Sequence, residues 1–132
     1  MIEIYTDGAS RGNPGEGAIA FVFVEHEKVI LFKAEYIGKT TNNVAEYRAM
    51  ISALSEAINK NIKEVILTSD SKLVISQIKG VYKIKVEHLK KLNEKIKELS
   101  LQFDRIDFKN VKRENRFISI ADKLCNAILN LS

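Results

Sequence analysis

Three β-rich runs precede the first helical periodicity, and that order limits the possible folds more than any other feature of the sequence. They are IEIYT at residues 2–6, GAIAFVFV at 17–24 and KVILFKAEYI at 28–37. Only Glu25, His26 and Glu27 separate the last two runs, so they read as a hairpin and three antiparallel strands come first. At Asn42 the period changes. Val44, Tyr47, Ile51, Leu54 and Ile58 recur at spacings of three and four, which predicts an amphipathic helix over 42–60. KEVILTS at 63–69 is a compact apolar strand, and SKLVISQIKG at 71–80 is a short helix with Gly80 as its stop. VEHLKKLNEKIKELS at 86–100 puts Leu89, Leu92, Ile96 and Leu99 on one stripe with lysines around the remainder. FDRIDFKNV at 103–111 alternates as a last strand, and SIADKLCNAILNL at 119–131 closes as a helix.

The order β-β-β-α-β-α-α-β-α makes this an α/β chain with an antiparallel meander joined to α/β units in one mixed sheet. No repeat, low-complexity tract or linker interrupts it, so residues 1–132 are expected to form a single domain. The helical crossover makes the strand at 63–69 parallel to one already in the sheet. If that neighbour is the first strand, the two run side by side at roughly 5 Å. Their carboxyl ends would then carry Asp7 and Asp70, at the edge where α/β sheets bind ligands.

Composition removes several classes of function. A lone cysteine, Cys125, permits no intrachain disulfide, and no Cys/His cluster offers a zinc site. That usage suits a reducing compartment, so a cytoplasmic location is expected. No apolar run approaches the roughly 20 residues of a membrane span, and no leader pattern follows Met1. The net charge is +4, a mild pointer to a polyanionic partner. Between Lys79 and Lys97 seven lysines face only Glu87 and Glu94, either a solvated helix face or a phosphate-binding one.

The stretch YTDGASRGNPGEG at 5–17 reads in two ways. It is either a long turn built from ordinary turn formers or a backbone-rich cradle that presents Asp7 to a polyanion. Four carboxylates carry similar pairs of readings. Glu46 could complete a capping box begun at Asn43, Asp70 could be a helix N-cap, and Asp122 could complement a helix macrodipole near the start of the last helix. Converging on one sheet edge, these acids would repel one another, and a hard divalent cation would remove that penalty. Oxygen ligands without histidine suit Mg²⁺ or Mn²⁺.

YTDGASRGNPGEGAIAF, TTNNVAEYRAM, LTSDSKLVISQIKG and IADKLCNAIL, in that order and spacing, resemble the four motif blocks of the type I ribonuclease H family in its compact prokaryotic form. The resemblance runs nearly end to end. It implies a ribonuclease H-like fold, with a five-stranded mixed sheet of three antiparallel strands then two parallel ones and helices on both faces. It implies an endonuclease that cleaves the RNA strand of RNA/DNA hybrids with two Mg²⁺ ions, held by Asp7, Glu46, Asp70 and Asp122. By the same resemblance Asp7 bridges the ions, Asp122 serves the one that activates water, and Glu46 with Asp70 serve the one beside the leaving group. The Gly-rich stretch, with Gly8, Ser10, Arg11, Gly12 and Asn13, would lie along the minor groove at the 2′-hydroxyls. Asn42 and Asn43 would join it, and Thr41 would seat a phosphate of the DNA strand. The alternative is a non-catalytic module of the same fold that only binds nucleic acid. An RNA/DNA hybrid is the expected partner, and a monomer the expected state.

Three departures from the family pattern stand out. Lys72 occupies a place where many relatives carry glutamine, turning a groove contact into a phosphate contact. The segment before the last acid, NVKRENRFISIAD, holds no histidine, and Arg113 is the candidate substitute, a cation that engages phosphate but shuttles no proton. The basic protrusion of larger relatives is reduced, and the lysines from 79 to 97 would partly replace it. His26 and His88 read as surface residues.

Overall fold

The computed structural model describes all 132 residues. In chain order the elements are β1 (Ile2–Gly12), β2 (Gly15–Glu25), β3 (Lys28–Thr40), α1 (Asn42–Asn59), β4 (Glu64–Ser69), α2 (Lys72–Ile78), α3 (Glu87–Ser100), β5 (Arg105–Asn110) and α4 (Arg116–Leu131). The strands form one sheet in the order β3-β2-β1-β4-β5. β1, β2 and β3 are antiparallel neighbours, β4 joins β1 in parallel through the α1 crossover, and β5 joins β4 in parallel. This is the five-stranded mixed sheet that the motif order implies.

Both faces of the sheet are covered, which is why β2 reads as an unbroken apolar run instead of an alternating one. On one face Ile4, Phe21 and Phe23 pack against Tyr47, Met50 and Leu54 of α1, with Leu89 and Ile96 of α3 behind them. On the other, Tyr5, Val22 and Val24 meet Phe117, Ile118, Cys125 and Leu129 of α4. Between the helices of the first face lies a small polar relay. The Tyr47 hydroxyl donates to Gln77 Oε1 at 2.8 Å, and Asn93 Nδ2 donates to the Tyr47 oxygen at 3.3 Å. These buried groups satisfy one another and tie α2 and α3 to α1.

Two elements extend beyond what periodicity predicts. The stretch at 5–17 is not a long turn: β1 and β2 stay paired from Glu3↔Val24 down to Gly12↔Gly15, with only Asn13-Pro14 between them. Gly12 sits at φ 106, open to glycine and costly for other residues. The pairing of a whole hairpin overrides the loop-like composition. At the other end, α4 begins at Arg116, capped by Asn115, whose Oδ1 accepts from the amides of Phe117 and Ile118. Arg116 to Ile118 therefore extend the helix expected from Ser119 onward, and Asp122 lies in its second turn, away from the favourable macrodipole position that its sequence context suggests. The Glu25↔Lys28 hairpin turns through His26 and Glu27, both at positive φ, the backbone pattern that matches strand twist. His26 and His88 are exposed, as expected.

Candidate active site

The parallel pairing of β1 with β4 ends at Tyr5↔Thr68. Two residues beyond that pair stand Asp7, still on β1, and Asp70, just past the end of β4. Beyond this point β1 continues against β2 alone, so the space beside it is open to side chains from the helices. Asp7 is nearly buried and Asp70 half-buried.

Glu46 reaches this place from α1 because of Gly8. A Cβ on Gly8 would collide with the backbone of Ala45 and Glu46, so only glycine allows α1 to lie this close to β1. The Gly8 amide donates to Glu46 Oε1 at 2.8 Å, fixing the carboxylate. The capping-box reading of Glu46 is thereby set aside: the N-cap of α1 is Thr41, whose Oγ1 accepts from Val44, and Glu46 lies beyond the first turn. Asp70 is likewise no cap, since Ser71 caps α2 through its bond from Val74. Both acids are free of the local jobs that would explain them.

One carboxylate oxygen from each of Asp7, Glu46 and Asp70 lies within 4.8 Å of the others. Asp122, half-buried on α4, lines the same recess of about 190 Å³, together with Gly8, Ala9, Asn42 and Arg113. The structure thus brings all four acids and Arg113 to one place. Asp7 Oδ2 is buried with no hydrogen-bond partner. A buried, unpaired carboxylate oxygen is costly unless something fills its coordination.

The electrostatics follow from this crowding. Burial, then the charges of Asp70 and Asp122, push the Asp7 carboxyl up to about 7, while Cys125 and Arg113 oppose them. Glu46 is raised well above the ordinary range by burial and then by Asp7 and Asp70, against the pull of the Gly8 amide. Asp70 is raised by burial, with Arg113 opposing. Beneath the site, the Cys125 thiol approaches the carbonyls of Asp7 and Ala18 at 3.5 and 3.7 Å, and burial with the nearby Asp7 raises it strongly. Three acids raised together by burial and by neighbouring carboxylates mark a place where negative charge is crowded without compensation.

The remaining candidates divide. Asn42 lines the recess, and its backbone N–H donates to Asn13 Oδ1 at 3.0 Å, pinning the β1–β2 hairpin to the start of α1. Asn43 is half-buried in the first turn of α1. Ser10 is half-buried on β1, its hydroxyl unpartnered. Gly12 lies at the exposed end of the hairpin, and Lys72 is exposed at the start of α2. Arg11 turns to α4 instead, where its guanidinium donates to Asn130 Oδ1 at 2.7 Å and reaches Asn126. Sequence reasoning passed over Ala9, whose small side chain carries no chemical signal. It also passed over Asn110, whose Nδ2 donates to Ser69 O at 3.1 Å and anchors the segment that carries Arg113 to the end of β4.

Comparison with known proteins agrees with this geometry. A family model described as reverse transcriptase-like matches residues 5–128. The bifunctional protein Rv2228c of Mycobacterium tuberculosis is 39% identical over 128 residues, covering 95% of this chain and 34% of that protein. The chain therefore spans about a third of the length of that curated relative. Among solved structures, RNase H1 from the halophilic archaeon Halobacterium salinarum superposes with a TM-score of 0.94 at 34% identity, covering 99% of this chain and 98% of the other. LC11-RNase H1 in complex with an RNA/DNA hybrid superposes with a TM-score of 0.91 at 36% identity, and each chain is fully covered.

Proposed function

The chain belongs to the type I ribonuclease H family, and from that premise we propose that it is an endonuclease hydrolysing the RNA strand of RNA/DNA hybrids. The observation that carries this reading is the meeting of Asp7, Glu46 and Asp70 within 4.8 Å, with Asp122 lining the same recess. A non-catalytic binding module would have no use for buried acids that destabilise one another. The substrate class rests on the hybrid bound by LC11-RNase H1. Residues 1–132 act as one catalytic domain, with a core on each face of a single sheet.

The four carboxylates fit a divalent cation. They offer oxygen only, they include an orphaned buried oxygen, and their raised proton affinity marks a deficit of positive charge. Asp7, Glu46, Asp70 and Asp122 would hold Mg²⁺, with Mn²⁺ as a substitute, and when bound such ions supply an activated water and charge relief at the leaving 3′-oxygen. The protein's own groups do the rest. Gly8 and Ala9 present backbone at the recess wall, where a 2′-hydroxyl can be read, and Asn42 offers an amide beside them. Ser10, Gly12, Asn13 and Asn43 extend this contact outward, Lys72 meets a phosphate at the start of α2, Thr41 seats one near the start of α1, and Arg11 supports the hairpin from behind. Arg113 places a fixed positive charge where a phosphate must sit among acids. No helix is long and apolar enough to cross a membrane, and the one thiol is buried and unpaired; a cytoplasmic location is consistent with both.

The test is cleavage of end-labelled RNA/DNA hybrid, duplex RNA and duplex DNA by the purified chain in Mg²⁺, Mn²⁺ or EDTA. Metal-dependent cutting of the RNA strand of the hybrid is expected. Hybrid binding without cleavage in either metal would overturn the enzymatic reading.

A further inference from the structure

β3 is an edge strand of 13 residues, paired on one side only, to β2. Its free side carries an apolar run that the fold leaves uncovered: Val29, Ile30, Phe32 and Tyr36 are 41%, 52%, 59% and 46% exposed. Val29, Ile30, Leu31 and Phe32 line a shallow recess without a single polar side chain. Soluble proteins usually blunt such an edge with short strands, proline or lone charges. Here the strand is long, has no proline, and its central charges come as a pair of opposite sign, Lys33 and Glu35, flanking Ala34.

We propose that β3 is a self-pairing edge through which two copies of this chain associate, antiparallel and two-fold symmetric about Ala34, joining their sheets into one. From Leu31 to Tyr36 the strand is regular, each residue opposite one residue of β2 without a shift. A two-fold axis through Ala34 places Lys33 opposite Glu35 of the second copy, and Glu35 opposite its Lys33. Phe32 then faces Tyr36, so each directly opposed pair within the regular stretch is either oppositely charged or apolar. Neighbouring registers that keep every side chain on its own face fail this condition. Moving the axis to Lys33 sets lysine against lysine, and moving it to Glu35 sets glutamate against glutamate. In the Ala34 register Tyr36 of the other copy comes against Phe32 at one end of the apolar recess. Lys33 and Glu35 already approach at 3.9 Å within the chain while half exposed, so exchanging partners between copies loses little. The arrangement is isologous and closed, which ends at a dimer and not a fibre. The monomer expected from the sequence is the opposing outcome of the experiment.

The experiment is sedimentation velocity across the micromolar range on wild type, Lys33→Glu, Glu35→Lys, an equimolar mixture of the two, and Phe32→Ser. Far-ultraviolet circular dichroism and hybrid cleavage serve as checks of folding, since none of these residues lies at the acidic recess. Wild type is expected to shift from monomer to twice its mass as concentration rises, and each single charge variant to lose that shift. The mixture should regain it, because both cross-strand pairs are again of opposite sign. Phe32→Ser should remain monomeric throughout. A wild type that stays monomeric overturns the proposal, as does a dimer that survives both charge reversals or a mixture that fails to recover it.

Discussion

Replacing the carboxyl of Asp7 by an amide keeps the size of the side chain and removes its charge. Asp7→Asn should therefore leave the fold intact and reduce hybrid cleavage to background, as should Glu46→Gln and Asp70→Asn, measured with labelled hybrid in Mg²⁺. The same substitution should raise stability when metal is withheld. The folded protein binds a proton at Asp7 up to about 7, well above the ordinary value of 3.8, so it holds that proton more tightly than the unfolded chain. The stability tied to Asp7 is then fully present below the unfolded value and is lost as pH rises through the folded one. In EDTA, the melting temperature of Asp7→Asn minus that of wild type should grow between pH 4 and 7 and level off above. On the order of 4 °C is expected for each kcal/mol of repulsion relieved. A difference independent of pH would mean that the acids do not share their field. Arg113 offers the converse test, being exposed on its segment yet lining the recess. Arg113→Ala should lower kcat several-fold at saturating hybrid with little change in KM, and an unchanged kcat would remove it from the reaction.

At the scale of elements, the decisive contact is between β1 and the first turns of α1, and it exists because position 8 has no side chain. Gly8→Ala should force the two backbones apart, costing about 1–3 kcal/mol as overpacking does, and carry Glu46 away from Asp7. Melting temperature and hybrid cleavage should fall together, whereas Asp7→Asn separates them. How far such contacts can be read in advance depends on whether their cause is local. The amphipathic stripe of α1 and the alternation of β5 are local, and both were legible. The convergence of Asp7, Asp70, Glu46 and Asp122 was legible as a hypothesis from strand order and motif spacing. The bond from Gly8 to Glu46 spans 38 residues of sequence, and no window around either residue announces it. Composition misled where tertiary pairing overrode it. The glycines of 8–17 look like a loop until ten consecutive pairs with β2 hold them straight. Phe117 and Ile118 look like a segment before a helix because the cap that starts α4, Asn115, stands in a charged stretch without apolar period.

For the molecule as a whole, the difficulty is that a polyanion must deliver a phosphate to a recess lined by four acids. Arg113 is the only cation lining that recess, so the holding charge has to come from elsewhere on the surface. The lysines between 79 and 97 are the largest local excess, all of them exposed. Four of them, Lys90, Lys91, Lys95 and Lys97, stand on a firmly packed helix. α3 packs its Leu89, Ile96 and Leu99 into the core shared with α1, and Asn93 bonds to Tyr47, the residue next to Glu46. Lys90 and Lys95 lie near Glu87 and Glu98 at 3.9 and 3.8 Å, but such exposed pairs cost little to exchange for phosphate. If this face grips the hybrid backbone, each lysine releases counterions on binding. Replacing Lys83 and Lys91 by alanine should raise KM and reduce the slope of log KM against log salt by about 0.9 for each phosphate that is no longer neutralised. kcat should be unchanged, because neither residue reaches the recess. Steady-state cleavage of one hybrid at several salt concentrations separates this from a merely solvated helix, for which the slope of the double variant would coincide with that of wild type.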